Sequence, residues 1–428
     1  MMNNEELKNK NPLIRFTGFY NDWIEKNYKE VFDTSVSNNT LSRAELTSEK
    51  TLTKNVHYGD ILIKYNSILN IQKDDFPFVP DSVKIDSKNF LRDGDIIFAD
   101  TAEDETCGKA VEITEIENEK VLAGLHTFVA RPKIQFTSKY LGYFINSPAF
   151  HNQLIPYMQG TKVTSISKSN VQKTYVKFPD KKEQSKIGEL FFQIDSLIFS
   201  TLKEHDKLIS LKKCMLQKMF PKNGKLIPEI RFKGFIDEWS EKKLGNLGET
   251  FTGLSGKTKD DFGHGQAKFV TYMNVFLNPV ADPELVETIE IDSKQAEVKY
   301  GDIFFTTSSE TPEEVGMSSI WLDQGKNVYL NSFCFGYRIT EKIDPYYIAY
   351  MLRSNVVRSK IILLAQGISR YNISKKGMMK ISVPFPSYIE QQKIGAFFQN
   401  LDNLIKKQSV ELEKLNNIKK TLLNKMFV

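Results

Sequence analysis

The stretch EQSKIGELFFQIDSLIFSTLKEHDKLISLKKCMLQKMF, residues 183–220, occurs a second time as EQQKIGAFFQNLDNLIKKQSVELEKLNNIKKTLLNKMF, residues 390–427. The two copies align without a gap, and 18 of their 38 positions are identical. An internal repeat of this length indicates a duplicated structural unit, so the chain is expected to consist of two related halves.

Both copies are predicted to form long helices that begin with the same start signal. Asp180 is followed three residues later by Glu183, and Ser387 by Glu390, which is the spacing of a capping box. At a rise of 1.5 Å per residue, each helix would span roughly 55 Å.

The apolar residues of both copies recur at heptad spacing, which predicts a narrow seam that packs against one partner helix. Two equal seams in one chain are most simply buried against each other, so we expect an antiparallel coiled coil with one globular domain at each end. The alternative is that each helix packs only on its own domain. The predicted seam residues are Ile187, Leu190, Ile194, Leu197, Leu208, Leu211 and Met215, and Ile394, Phe397, Leu401, Leu404, Leu415, Ile418 and Leu422. Polar residues interrupt the seam at matching positions and could fix its register: Thr201 and Gln408, and Glu204 and Glu411.

A second repeated segment opens each half. Residues 12–23 read PLIRFTGFYNDW and residues 228–239 read PEIRFKGFIDEW, so both contain Pro-x-x-Arg-Phe-x-Gly-Phe followed by Trp. We call this the opening motif. Because the start and the end of each half are repeated, the fold class is predicted to be α+β, with two similar mixed α/β domains joined by the two helices. The predicted boundaries are 1–182 and 221–389 for the domains and 183–220 and 390–428 for the helices.

Between opening motif and helix, the first half is predicted to contain strands at 56–63 and 90–99, where β-branched and aromatic residues lie beside Gly-Asp turns. Short helices are predicted at 139–146 and 346–353. Two loops, 159–167 and 366–374, share the pattern Gln-Gly followed by Ile-Ser, and each half closes with a strand ending Phe-Pro.

Composition favours a protein of the reducing cytoplasm. The 428 residues are 40% hydrophobic, carry a formal net charge of +5 and include only three cysteines, Cys107, Cys214 and Cys334, without CxxC spacing. Neither a disulfide framework nor a zinc site follows from that spacing. The N-terminal segment MMNNEELKNKN lacks the apolar core of a signal peptide, and no run approaches the length of a membrane span.

These motifs, in this order and twice, resemble the type I restriction–modification specificity subunits (HsdS) over nearly the whole chain. The resemblance implies two target recognition domains, each binding half of a split sequence in double-stranded DNA, with the helices acting as a ruler. It also implies that the helices bind two modification methyltransferase subunits (HsdM), while the presence of restriction subunits (HsdR) is left open. The chain itself would have no catalytic centre, so S-adenosylmethionine, ATP and Mg²⁺ are expected only in partner subunits. Candidate partner-binding residues are Ile187, Phe191, Ile194, Ile394, Phe398 and Leu401.

Three apparent catalytic motifs are better explained as structure. Asp344-Pro345-Tyr346-Tyr347 resembles a methyltransferase motif, but its counterpart in the first half lacks Pro, and a capping Asp followed by Pro at the first helical position explains it. The run ending Gly256-Lys257-Thr258 lacks the first glycine of a phosphate-binding loop, because position 251 is Phe. Asp292 with Glu297 faintly matches a nuclease pattern that the first half does not share. The five histidines show no metal-binding spacing.

DNA contacts are predicted mainly in the two Gln-Gly loops, because polar side chains there could reach phosphates and base edges. These residues are Thr161, Lys162, Thr164, Ser165 and Lys168 in the first half, and Ser369, Arg370, Tyr371 and Asn372 in the second. A second set follows the Gly-Asp strands: Thr101, Thr106 and Lys109, and Thr307, Ser308 and Ser309. A third is the loop 253–268, with Lys257 and Lys259. Any one of these residues could equally be an ordinary polar turn residue.

Two other function classes are compatible with the repeat. A stand-alone DNA-binding regulator or coiled-coil adaptor would act without a methyltransferase partner. A fused methyltransferase would need an S-adenosylmethionine-binding loop, which is not found in the sequence.

Overall fold

The chain folds into two units, each containing parts of both long helices. In this computed structural model, which describes residues 11–222 and 224–428, unit 1 comprises the chain up to Leu202 together with Val410–Val428, and unit 2 comprises Lys203–Ser409. The polar N-terminal segment considered above lies almost entirely outside the described residues.

Unit 1 is built from short strands and short helices that precede the first long helix. Its strands are β1 (Ile24–Asn27), β2 (Phe32–Asp33), β3 (Thr53–Val56), β4 (Ile68–Asn70), β5 (Phe78–Val79), β6 (Ile96–Ala99), β7 (Thr101–Ala102), β8 (Ala110–Thr114), β9 (Lys120–Ala123), β10 (Thr127–Pro132), β11 (Thr164–Ser165) and β12 (Tyr175–Phe178). Its helices are α1 (Tyr28–Val31), α2 (Tyr58–Ile63), α3 (Tyr140–Ile145), α4 (Pro148–His151), α5 (Lys168–Val171) and the start of α6 (Lys181–Lys218).

Unit 2 repeats this order of elements. Its strands are β13 (Ser240–Lys243), β14 (Gly248–Thr252), β15 (Phe262–Val270), β16 (Val286–Ile289), β17 (Ile303–Thr306), β18 (Ser308–Ser309), β19 (Ser318–Ile320), β20 (Val328–Leu330), β21 (Cys334–Ile339), β22 (Tyr371–Asn372) and β23 (Ser382–Phe385). Its helices are α7 (Tyr272–Leu277), α8 (Pro345–Met351), α9 (Asn355–Ile362), α10 (Lys375–Met378) and the start of α11 (Tyr388–Lys425).

The sheets of the two units share one strand order. The main sheet runs β2-β10-β6-β8-β4 in unit 1 and β14-β21-β17-β19 in unit 2, so unit 1 has one additional edge strand. The smaller sheets run β5-β3-β9 and β16-β15-β20, each with one parallel pair. The predicted fold class, two similar mixed α/β domains with two long helices, is confirmed.

Some predicted short elements differ from the structure. Of the strand predicted at 56–63, only the first residue lies in a strand, because His57 Nδ1 accepts a hydrogen bond from Gly59 N at 3.2 Å and caps helix α2. The helix predicted at 139–146 is confirmed as α3, but its cap is not a residue of its own loop. The buried carboxylate of Glu112 accepts from Lys139 N at 2.6 Å and Gly142 N at 2.8 Å, and burial raises the pKa of this carboxyl to about 7. In unit 2, Asp344 caps α8 as predicted.

The heptad seam differs from the predicted one at four of its fourteen predicted positions, whereas Leu190 and Phe397 pack against the cores as predicted. Leu197, Leu211, Leu404 and Ile418 are exposed, whereas their C-terminal neighbours Ile198, Lys212, Ile405 and Lys419 are partly buried. An i, i+4, i+7 pattern starting at Ile187 matches the buried residues, whereas the predicted i, i+3, i+7 pattern does not.

Within each unit, ion pairs and hydrogen bonds join the two long helices. In unit 1, Lys419 Nζ lies 2.5 Å from the carboxylate of Asp195, which also accepts from Tyr143 Oη at 2.9 Å. Unit 2 has the same set with the repeats exchanged: Lys212, Asp402 and Tyr350. The N-terminal half of each helix thus pairs with the C-terminal half of the other, as an antiparallel arrangement requires. The predicted register residue Gln408 bonds Glu204 at 3.5 Å, and His205 contacts Ser409 at 3.1 Å.

Both long helices begin with half of the predicted capping box. The Asp180 carboxylate accepts from Glu183 N at 3.0 Å, but the Glu183 side chain does not return to the cap. Instead its fully buried carboxylate receives two hydrogen bonds from Arg15 of the opening motif, at 2.7 and 2.8 Å. Arg231 and Glu390 form the same pair in unit 2. The two repeated sequence motifs are therefore repeated because they bind each other.

The residues that directly follow each long helix complete the core of the domain that belongs to the other repeat. Phe427 lies in the core of unit 1, where its ring is 5.6–6.3 Å from four aromatic rings, those of Trp23, Tyr140, Phe144 and Phe191. Phe220 is equivalent in unit 2, against Trp239, Tyr347 and Phe398. In addition, Ile14 N donates to Lys425 O and Ile230 N to Lys218 O, both at 2.9 Å.

Candidate nucleic-acid interface

The two predicted sets of DNA contacts in unit 2 form one site. Ser308 and Ser309, which follow the Gly-Asp strand, make up β18 and pair with Asn372 and Tyr371 of the Gln-Gly loop. The pairing explains why the two sets share a repeat: each supplies one strand of a two-stranded ribbon. We call this ribbon and its loop the unit 2 site.

The unit 2 loop is a tight hairpin closed by two backbone bonds. Gln366 N donates to Asn372 O at 3.0 Å, and Asn372 N donates back to Gln366 O at 2.8 Å. Gly367 has φ +135°, and a Cβ there would lie 2.0 Å from Arg370 O, so glycine is required. Ser369 and Arg370 at the hairpin tip are exposed, and no residue in the described part of the chain accepts a hydrogen bond from the Arg370 guanidinium. The hairpin therefore presents a free cation on a fixed backbone.

Unit 1 builds the same ribbon from different side chains. Thr164 and Ser165 of β11 pair with Ala102 and Thr101 of β7, and the loop is closed by reciprocal bonds between Gln159 and Ser165 at 2.9 and 2.8 Å. Gly160 again has positive φ, +118°. The exposed tip residues are Thr161, Lys162 and Val163, where unit 2 has Ile368, Ser369 and Arg370. This unit 1 site therefore combines an equivalent backbone with a different chemical surface.

Three lysines that were predicted to contact DNA bind other groups of the protein instead. Lys109 Nζ donates to the carbonyls of Leu62 and Tyr65 at 2.9 and 3.1 Å, and burial lowers its pKa. Lys168 Nζ bonds Thr34 O at 2.9 Å. Lys257 pairs with Asp292 at 2.8 Å, and this hydrogen bond raises the lysine pKa. These three lysines stabilise loops in this structure, and contact with phosphate would require each to exchange its partner.

A turn and a helix start, neither of them among the predicted DNA contacts, complete each site. His126 of unit 1 lies 3.5 Å from Thr101 Oγ1, and its ring meets that of Tyr58 edge-on at 5.2 Å. Phe333 holds the equivalent turn position in unit 2, and Tyr272 Oη donates to Ser308 O at 2.8 Å. Both tyrosines are the first residues of their helices, α2 and α7. Two features of the sequence could have predicted this part of the site: the Tyr that begins a helix in both units, and the equivalent positions of His126 and Phe333 in the repeats.

Unit 2 also has a cavity of about 310 Å³ beside its hairpin. Arg370, Glu310 and Glu314 are its charged lining residues. Its apolar lining comes from aromatic rings and from Met273, which is exposed, as is Phe333 at its rim. The site thus offers donors, acceptors and apolar surface within one cavity.

The predicted partner-binding residues lie in the protein interior, where a partner protein cannot contact them. All six, Ile187, Phe191, Ile194, Ile394, Phe398 and Leu401, are at most 7% exposed, and all but Ile194 belong to the hydrophobic cores of the two units. This prediction is wrong in its choice of face: the N-terminal half of each long helix buries these residues against its own domain.

A different set of helix residues is apolar and exposed in both repeats. Leu197 and Leu404 occupy equivalent positions and are 54% and 48% exposed, and Leu211 and Ile418 form a second equivalent pair. Each unit carries one member of each pair. We call the two residues within one unit its exposed helix pair: Leu197 with Ile418 in unit 1, and Leu404 with Leu211 in unit 2.

The described residues contain no group of three or more His, Cys, Asp or Glu side chains arranged to hold a metal ion. None of the helices in that part of the chain combines the length and apolar composition needed to cross a bilayer. Asp344-Pro345 caps and starts helix α8, and Asp292 binds Lys257, so both have structural partners.

Comparison with known proteins gives one family for both halves. Residues 20–213 and 236–414 match the family model described as the type I restriction modification DNA specificity domain. A putative type I restriction enzyme MjaX specificity subunit from Methanocaldococcus jannaschii is 24% identical over 362 residues, covering 77% of each chain. The EcoKI specificity subunit of Escherichia coli K12 is 22% identical over 381 residues, covering 86% of this chain and 81% of the relative.

A solved structure gives the same result for the fold. The crystal structure of a type I restriction–modification S subunit from M. genitalium matches with a TM-score of 0.56 at 15% identity, covering 98% of this chain and 99% of that one. Because the family model covers most of the chain in two segments, this protein belongs to the family of type I restriction–modification DNA specificity subunits.

Proposed function

We propose that this chain is the DNA-recognition subunit of a type I restriction–modification complex and binds a split DNA sequence, one half with each unit. The observation that carries the proposal is the duplicated ribbon: one backbone scaffold occurs twice with different side chains at the tip. A scaffold that is kept while its exposed residues differ suits two unlike half-sites. As a recognition component, the subunit is not an enzyme.

In unit 2, Arg370 and Asn372 are the proposed base-reading residues. An arginine guanidinium pairs with the O6 and N7 atoms of guanine, and an asparagine amide pairs with adenine, both in the major groove. In unit 1, Thr161, Lys162 and Ser165 are exposed at the equivalent loop and suit a half-site of other composition. Contacts to phosphates would fix the position of each ribbon without contributing to sequence preference.

The proposed partners are two modification subunits, one on each exposed helix pair. Two copies of one partner need two copies of one surface, and the exposed helix pairs are equivalent in the repeats whereas the DNA sites are not. S-adenosylmethionine would then be bound by the modification subunits, and ATP and Mg²⁺ by restriction subunits where these join the complex.

The function is tested by expressing the chain with its modification subunit and sequencing the methylated DNA. The expected result is one two-part methylated motif with a fixed gap. Exchanging residues 159–167 for 366–374 should then change one half of the motif and leave the other half unchanged. Methylation that does not depend on this chain, or a change in both halves at once, would contradict the proposal.

Replacing Arg370 with alanine is expected to weaken binding of the methylated motif by about 1–3 kcal/mol, the value of one good bidentate base contact. The loss should be confined to one or two positions of one half-site. Competition binding with single-base variants of the motif measures this. Lys162→Ala in unit 1 is the control, because it should leave the unit 2 half-site unchanged. An equal loss on every DNA sequence would make Arg370 a phosphate contact instead.

Replacing one exposed helix pair with charged residues is expected to prevent one modification subunit from binding. The double variant Leu197→Asp and Ile418→Asp should change the ratio of modification to specificity subunits from 2:1 to 1:1, because a carboxylate cannot be buried unpaired in an apolar contact. Mass measurement of the purified complex gives the ratio. Phe199→Asp is the matched control, since Phe199 is exposed on the same helix but its repeat counterpart is Lys406. Unchanged stoichiometry in the double variant would exclude this surface.

The long helices are proposed to set the gap between the half-sites. Inserting one heptad after Thr201 and one after Gln408 keeps the seam in phase and adds roughly 10.5 Å to each helix. At about 3.4 Å per base pair, the preferred gap should grow by roughly three base pairs. Methylation of a plasmid library with varied gaps measures this. A folded, active variant that prefers the original gap would show that the helices serve only to bind partners.

A further inference from the structure

The unit 2 hairpin carries an apolar side chain where unit 1 carries a polar one. Ile368 follows Gly367 at the hairpin tip and is 95% exposed. Its counterpart in the unit 1 loop is Thr161. A fully exposed isoleucine adds nothing to the core of its own domain, and the two loops are otherwise closed by the same pair of backbone bonds. The difference therefore lies in what the tip presents.

The backbone fixes the position of Ile368. The hairpin is closed by the two bonds between Gln366 and Asn372, and the next residue, Ile373, is buried and donates to Thr307 O at 3.0 Å. Because the ribbon is hydrogen-bonded on both sides of the tip, the chain cannot readily fold Ile368 back onto the protein.

A cationic side chain lies two residues after Ile368, and it lines a cavity that also has exposed apolar side chains. Arg370 is two residues away, exposed and without a hydrogen-bond acceptor among the described residues. Met273 and Phe333, which line the same cavity as Arg370, are 53% and 58% exposed. An apolar tip beside a free cation matches the chemistry of side chains that enter a base step while neighbouring cations bind phosphate.

We propose that Ile368 is a wedge that inserts between two stacked base pairs of the half-site bound by unit 2. The inference rests on the proposed function of this ribbon as a DNA contact. The wedge predicts that unit 2 deforms the DNA of its half-site. The sequence preference of unit 2 should then depend partly on how easily the base step at the wedge is unstacked. In unit 1 the equivalent position holds Thr161, and the apolar side chain of that loop, Val163, is 53% exposed against 95% for Ile368. Unit 1 therefore binds its half-site without this insertion.

The test uses the full chain in complex with its modification subunits and duplexes that contain the methylated motif. In each duplex, one nucleotide of the unit 2 half-site is replaced by an abasic analogue, which removes part of the stacking that a wedge must break. The wild type should bind at least about tenfold more tightly when the analogue lies at the wedge step. Ile368→Thr should lose this gain at that step, and Ile368→Met, which keeps an apolar wedge, should retain it.

Ile236→Thr is the matched control, because Ile236 is also an exposed isoleucine of unit 2, at 84%, but lies in the opening motif. It should give the wild-type profile. If wild type and Ile368→Thr bind the intact motif but show the same abasic profile, the wedge is excluded and the DNA-binding function stands. If the wild-type complex does not prefer the motif over unrelated DNA, both inferences fail.

Discussion

Replacing Phe427 with alanine is expected to destabilise unit 1 by about 3–5 kcal/mol, although the residue lies more than two hundred positions after the last strand of that unit. The Phe427 ring is 4% exposed and lies among Trp23, Tyr140, Phe144 and Phe191. Truncation would leave a cavity in the middle of these rings, which are too large and too constrained to fill it.

Hydrogen–deuterium exchange followed by mass spectrometry can measure this loss separately in each unit, because the exchange rates report local unfolding free energies. Peptides of unit 1 should exchange faster, and those of strands β17 and β21 in unit 2 should not. Phe220→Ala should give the opposite result, with unit 2 destabilised. Phe199→Ala, at an exposed position of helix α6, should change neither unit. Equal exchange in wild type and Phe427→Ala would mean that the core closes without this ring.

Removing the arginine of the opening motif is expected to cost unit 1 a comparable amount, about 3–5 kcal/mol. The carboxylate of Glu183 is 0% exposed in the wild type, and in Arg15→Ala it would lose both of its charged hydrogen bonds. A buried charge without a partner is strongly destabilising, whereas a buried pair contributes much less than its removal costs. Denaturant unfolding of the single variant, and of Arg231→Ala as its equivalent in unit 2, measures the effect.

The matched control for this ion pair is the double variant Arg15→Met and Glu183→Leu. It removes both charges and keeps the apolar volume, so it should recover most of the stability lost in Arg15→Ala. If Arg15→Ala alone unfolds at the same denaturant concentration as wild type, water must reach Glu183 readily and the pair is not a structural requirement.

The repeat made much of the fold predictable, because long helices, their starts and the strands near them leave strong local signals. The predicted seam was wrong at Leu197, Leu211, Leu404 and Ile418 for a physical reason. Leu197 and Leu211 are as apolar as the residues that pack, so the sequence pattern could not separate the buried stripe from the exposed one beside it. The buried seam instead includes Lys212 and Lys419, whose charges are paired with Asp402 and Asp195 across the helices.

The DNA sites were only partly predictable. The two loop sets were recognised, but their pairing into one ribbon depends on contacts between Thr101 and Ser165 that no local signal encodes. The lysine candidates show the same limit: Lys109 and Lys168 are charged and lie near the loops, yet the fold directs both towards backbone carbonyls. The roles of the exposed tip residues, Arg370 among them, stay predictions.

The exchange of helix ends between the repeats has a consequence for the order in which the protein can fold during synthesis. All residues of unit 2 lie in the continuous segment Lys203–Ser409, whereas unit 1 needs Val410–Val428 as well. At about 5–20 residues per second, the ribosome needs roughly 10–40 s to pass from the end of the first unit 1 segment to Val410. During that interval Trp23 and Tyr140 lack Phe427, so the domain that is made first is completed last. The nascent chain should therefore bind chaperones through its N-terminal domain until its C-terminal helix has emerged.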